Sequence, residues 1–181
     1  TLPSETTTLV LHSIDPAGST YAAAWVALTE RGASLSSMAI GRDGQSLGGV
    51  NELTRTNDHI VWVEIVPTAK GALCIWAEET RLGDANLLLV PLDSMGKPRG
   101  VPSRFARAAT GWHTVRFGDG VGVAIVTSLP KSSEAGSLSA ISFQRLDADG
   151  KPMGGTTRVA DRVALVGDVE LTSDGGEALL G

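Results

Sequence analysis

The chain has 181 residues, 42% of them hydrophobic and 19% charged, with a formal net charge of -5. That content suits one sizeable core and argues against a disordered chain. With no cluster of Lys and Arg there is no nucleic-acid surface to expect, and no apolar run nears the about 20 residues of a bilayer-spanning helix.

In chain order, the N-terminus reads TLPSETTT, with neither an initiator Met nor a signal peptide, as in a processed product or an excised piece. YAAAWVALTE could pass for a helix in isolation, but it occupies the slot of ALCIWAEE further on and is expected to be a strand. Ile40 then opens the turn GRDGQSLGG. The next unit has four expected strands: IVWVEI from Ile60, ALCIWAEE from Ala72, ANLLLVPL from Ala85 and a short one at Ser103-RFAR. PTAKG, TRLGD and DSMGKPRG are the turns between them. The following unit repeats this with TVRF from Thr114, VGVAIVTSL from Val121, LSAISFQRL from Leu138 and TRVA from Thr157. Short alternating or wholly apolar runs between Gly, Pro and Asp turns are the all-β signal, and no stretch carries a convincing 3.6-residue period. The last segment, VGDVELTSDGGEALLG, reads as a unit that stops inside its second strand.

Three turns set the repeat: GRDGQSLGG after Ile40, DSMGKPRGV after Leu92 and DADGKPMGG after Leu146. Gly44, Gly96 and Gly150 share a slot at offsets of 52 and 54. The triplets VEI at 63–65, VRF at 115–117 and VEL at 169–171 give the same offsets and are taken as a second landmark. Four strands per unit of about 50 residues is the blade of a β-propeller, in which sheets stack face to face because one sheet alone buries neither face. On its LDADGKPMG-type turns and its GALCIWAEE-type strand, the chain resembles the β-propeller repeat proteins that bacteria secrete or carry in the cell envelope. That resemblance implies an architecture and, since propellers host unrelated activities, little about chemistry. The expected fold is all-β: about three and a half four-stranded antiparallel blades of an incomplete propeller, with units at approximately 1–55, 56–108, 109–162 and a truncated 163–181.

GQSLG at 44–48 fits G-x-S-x-G, the elbow that presents a nucleophilic serine between a strand and a helix. No helical pattern follows it, and Ser46 stands in the slot of Pro98 and Pro152, so the slot serves backbone shape. Asp147-Ala148-Asp149-Gly150 resembles the start of a calcium loop, with Asp147 and Asp149 as candidate ligands. The related turns lack the acid pair and no bidentate Glu follows, so a polar Asp turn is the preferred reading and calcium the lesser one. TSDGG at 172–176 loosely resembles the Asp-box of sialidase-like propellers, but Tyr21 is the sole tyrosine and lies in an apolar run. His12, His59 and His113 are too few and too scattered for a metal set. Cys74, the only cysteine, lies between Leu73 and Ile75 and is expected to be a small buried side chain. Trp25 and Trp76 occupy corresponding second-strand positions and are expected between blades. Trp62 is placed on the face opposite Val61, Val63 and Ile65, in a slot holding Thr114 and Asp168 elsewhere; it, Trp112 and His113 are the candidate binding residues.

These readings point to a non-catalytic binding or scaffolding module of a secreted or cell-envelope bacterial protein, with no catalytic residue and no cofactor. Its expected partner is another chain, or the rest of its own precursor, completing the propeller; a protein or glycan ligand is compatible, while nucleic acid and a transmembrane segment are not expected. Two rivals are a propeller enzyme whose catalytic residues lie in other blades and a structural subunit released by proteolysis.

Overall fold

The structure, a computed structural model, describes residues 6–13, 20–29, 32–129, 138–164, 169–173 and 178–180. Among these residues there is no helix, and every strand pairing is antiparallel. The first sheet is β1 (Thr6–Ser13), β2 (Thr20–Thr29), β3 (Gly32–Gly41) and β4 (Asn51–Thr56), in that order. YAAAWVALT is therefore strand β2, paired along its length with β3. The second sheet runs in sequence order through β5 (His59–Thr68), β6 (Gly71–Glu79), β7 (Ala85–Leu92), β8 (Ser103–Phe117), β9 (Gly120–Ser128), β10 (Ser139–Leu146) and β11 (Thr157–Val163). A last pair, β12 (Leu171–Ser173) and β13 (Ala178–Leu180), forms a small hairpin.

The seven-stranded sheet is two blades sharing one strand. The first part of β8 pairs with β7, the second part pairs with β9, and Ala109 has partners on both sides, Ala85 and Thr127. The register breaks there, between Ala109 and Gly111, and the preceding Ala108 has φ 53. Arg162 on β11 has φ 55 at the corresponding place 54 residues later. These two left-handed residues, the only non-glycines of that kind among the described residues, mark where the chain leaves the outer edge of one blade.

Blade stacking follows from strand alternation. On β6, Ala72, Cys74 and Trp76 face the first blade and join Ala22, Ala24, Val26 and Leu35 in one core. The intervening Leu73, Ile75 and Ala77 face the other way and join Val121, Val123 and Ile125 of β9 in a second core. On β9 the other set, Ala124 and Val126, packs with Ile141 and Val169 in a third. Each central strand thus buries both faces, which is why its sequence is continuously apolar rather than alternating. The fold is all-β and propeller-type, built from stacked four-stranded antiparallel blades. Cys74 lies fully buried in the first of these interfaces, and burial pushes its thiol up to about 12. Trp25 and Trp76 do occupy matching positions, opposite Ser36 and Leu88 of the third strands, and both are buried.

The three glycine turns share one hydrogen-bond pattern. Gly44, Gly96 and Gly150 donate to Gly41, Asp93 and Asp147 at 2.9, 3.0 and 2.9 Å. Ser46, Pro98 and Pro152 form matching single bridges to Ile40, Leu92 and Leu146. All three glycines have φ between 69 and 78, the left-handed region that favours Gly.

The second sequence landmark does not hold. In the β5–β6 hairpin Thr68 pairs with Gly71 and Val63 with Trp76; in the β8–β9 hairpin Phe117 pairs with Gly120 and Trp112 with Ile125. Val63 therefore corresponds to Trp112, 49 residues on, and not to Val115. The turns remain 54 apart because the link from second to third strand is longer in the later blade, spanning 129–138 rather than 80–84. Val61 is corrected as well. A bulge between Ile60 and Trp62 turns Ile60 into the core and leaves Val61 49% exposed, so Val61 does not share the buried face of Val63 and Ile65.

Candidate functional site

The strip of side chains between the inner strands of the second and third blades is the best-defined candidate. Trp62 and Glu64 project from β5 on the face away from the first blade, because Val63 and Ile65 are committed to that blade's core. Trp112 and Thr114 project toward them from β8, opposite Ile125 and Val123 of the facing core. The two indoles meet edge to face, with centroids 5.6 Å apart and planes at 68°. Next to them the buried Thr114 hydroxyl donates to the half-buried Glu64 carboxylate. The arrangement places an aromatic contact beside a charge-assisted hydrogen bond, both bridging blades, and leaves part of each indole accessible. The structure thus brings together two of the three binding candidates. His113 is not with them: it is half-buried on the opposite face of β8, opposite Ala124. Sequence reasoning missed Glu64 and Thr114, since their approach depends on the hairpin registers.

His59 is exposed at the start of β5, opposite Glu79, and His12 lies on β1 opposite Ala22. Asp174–Gly176 of the stretch resembling an Asp-box lie outside the described residues.

Asp147 and Asp149 have distinct surroundings. Asp147 Oδ1 accepts the backbone N–H groups of Asp149 and Lys151, both at 2.9 Å. Asp93 does the same in the previous turn, accepting from Met95 at 2.8 Å and Lys97 at 2.9 Å. Asp149 instead reaches to the second blade: Lys70 Nζ lies 2.6 Å from Oδ2, and Arg99 Nη1 lies 2.5 Å from Oδ1. The Arg99 guanidinium also donates to the Ala148 carbonyl at 3.0 Å. Hydrogen bonds from Lys70 and then Arg99 hold the Asp149 carboxyl down to about 2. Asp147 Oδ1 and both oxygens of Asp149 are thus already bonded to amides, an ammonium and a guanidinium. Among the described residues no group of three or more His, Cys, Asp or Glu could hold a metal ion.

Ser46 lies in an exposed turn with no helix after it, and its hydroxyl donates to the Gly48 carbonyl. The local geometry is a turn of the same form as its two proline counterparts.

No protein-family model matches the chain, and no curated protein matches it. Among solved structures, an exo-1,5-α-L-arabinanase from a bovine ruminal metagenomic library superimposes with a TM-score of 0.44 at 17% identity, over 90% of this chain. The chain spans 64% of the length of that structure.

Proposed function

We propose that the chain is a non-catalytic, propeller-type binding or scaffolding module whose stacking faces are its working surfaces. A contrast among the three turns carries this reading. Gly96 and Gly150 are buried on the third strand of the preceding blade, Gly96 against Met38 and Ala39 and Gly150 against Leu89. Gly44 has the same bonds and φ, yet it is exposed, with nothing among the described residues within 4 Å of where its Cβ would be. A turn of this shape is suited to seat on a neighbouring blade. The partner that fits is a further four-stranded blade, supplied by another chain or by the remainder of the same precursor. The turn position of Ser46 supports the non-catalytic part of the reading. The module's place in the secreted or cell-envelope fraction is part of the same proposal.

A photo-crosslinking amino acid at Leu47, which is 42% exposed in the free turn, tests it in the protein isolated from its native source. The expected result is an adduct to a β-repeat segment from outside residues 1–181, identified by mass spectrometry. A Leu47 probe that yields no adduct in that preparation overturns the stacking role.

A further inference from the structure

A second feature involves the turns of the second and third blades and not the free turn of the first. The loop after β7 and the turn after β10 border an open cleft of about 430 Å³. Its volume is in the range of sites for small organic molecules. Pro91, Phe105 and Pro152 give it apolar walls, and Arg99, Arg104 and Lys151 give it positive charge.

The charges are not equivalent. Arg99 is fixed: it bonds Asp149 at 2.5 Å and the Ala148 carbonyl at 3.0 Å. Among the described residues Asp149 is the one carboxylate on the cleft wall, and Lys70 and Arg99 already engage both of its oxygens. Arg104 and Lys151 are exposed and have no carboxylate partner among the described residues. A protein with net charge -5 therefore keeps two uncompensated cations beside an aromatic and two proline surfaces. The guanidinium offers a planar pair of donors suited to a carboxylate, and the ammonium offers a mobile point charge. The apolar walls suit the face of a ring, which an inorganic anion does not possess.

We propose that this cleft binds a carboxylate carried on a ring, with the uronate type of sugar acid as the ligand class. Arg104 pairs with the carboxylate, Lys151 adds long-range attraction, and Phe105 with the two prolines covers the ring. The Arg99–Asp149–Lys70 bridge holds the two loops at a fixed separation and does not itself contact the acid group.

The test is an NMR titration of the chain with three probes: glucuronate, glucose and inorganic phosphate. Glucuronate is expected to shift the amides of residues 99–105 and 149–152 saturably, with glucose giving no shift and phosphate binding at least about tenfold more weakly. The paired substitution Arg104→Gln and Lys151→Gln is expected to weaken glucuronate about tenfold or more; a tenfold change is about 1.4 kcal/mol. Both side chains are exposed, so an unchanged thermal melt will show that the variant folds. Equal binding of glucose overturns the role of the carboxylate. Phosphate binding as tight as glucuronate overturns the role of the ring, and undiminished binding by the variant overturns the site.

Discussion

Asp149 shows how one residue can lock two blades at their rim. It belongs to the third blade's turn, while both cations that grip it, Lys70 and Arg99, come from the second blade. Its carboxyl is held down to about 2, first by the hydrogen bond from Lys70 and then by that from Arg99. An unfolded aspartate titrates near about 3.9. The lowered value means that the folded state binds fewer protons, so this contribution is complete above about 4 and is lost as pH falls toward 2. Asp149→Asn is therefore expected to flatten the fall in melting temperature between pH 4 and pH 2 relative to the wild type, while lowering the melting temperature slightly at pH 7. Thermal melts across that pH range check it. Parallel acid profiles for the two proteins would show that the bridge contributes nothing to folding.

At the scale of the element, the repeated turn does two jobs: it reverses the chain and it docks the blade. Gly44, Gly96 and Gly150 need the same left-handed φ, so an alanine at any of them carries a backbone cost of about 1–2 kcal/mol. Among the described residues, only two of them also face a neighbour. A Cβ on Gly96 would lie 3.0 Å from the backbone of Met38 and Ala39, and one on Gly150 would run into the Leu89 side chain. Gly96→Ala and Gly150→Ala are expected to cost about 1–3 kcal/mol more than Gly44→Ala, the range for overpacking a tight contact. Urea unfolding midpoints of the three variants check this, and equal losses would remove docking from the turn's role. These turns were legible in the sequence because each needs a left-handed Gly at the same place, with Asp and Pro recurring at fixed offsets from it in two of the three. The strands were legible too, through their short apolar runs. Register was not. VEI and VRF look alike, yet the hairpins pair Val63 with Trp76 and Val115 with Gly122, on opposite faces of their sheets. A local triplet carries no information about where a hairpin closes or about a bulge such as that at Val61. The Trp62–Trp112 contact depended on those registers, so the sequence named both residues without placing them together.

For the molecule as a whole, stacked blades share each central strand between two interfaces and have no single centre. Trp76 is fully buried between the first and second blades, while Leu73 and Ile75 on the same strand serve the interface with the third. Stability in such an array is close to a sum of blade terms and nearest-neighbour interface terms, so damage need not spread evenly. Trp76→Leu removes part of one interface and leaves a void there, a change that costs a few kcal/mol in a tight core, about 2–4 by analogy with other large-to-small substitutions. Hydrogen exchange of the variant is expected to show the loss mainly in β2, β3 and β5, with β9 and β10 close to wild-type protection. The β8 strand sharpens the test, because its continuous backbone ties the second and third blades covalently and through one sheet. If that tie dominates over interface packing, β9 and β10 will lose protection by the same free energy as β2 and β3, and the additive description fails. If packing dominates, the first blade, joined to the second among the described residues by stacking, by the buried Ser37 Oγ–Gly96 carbonyl hydrogen bond and by the link at residues 57 and 58, will open first.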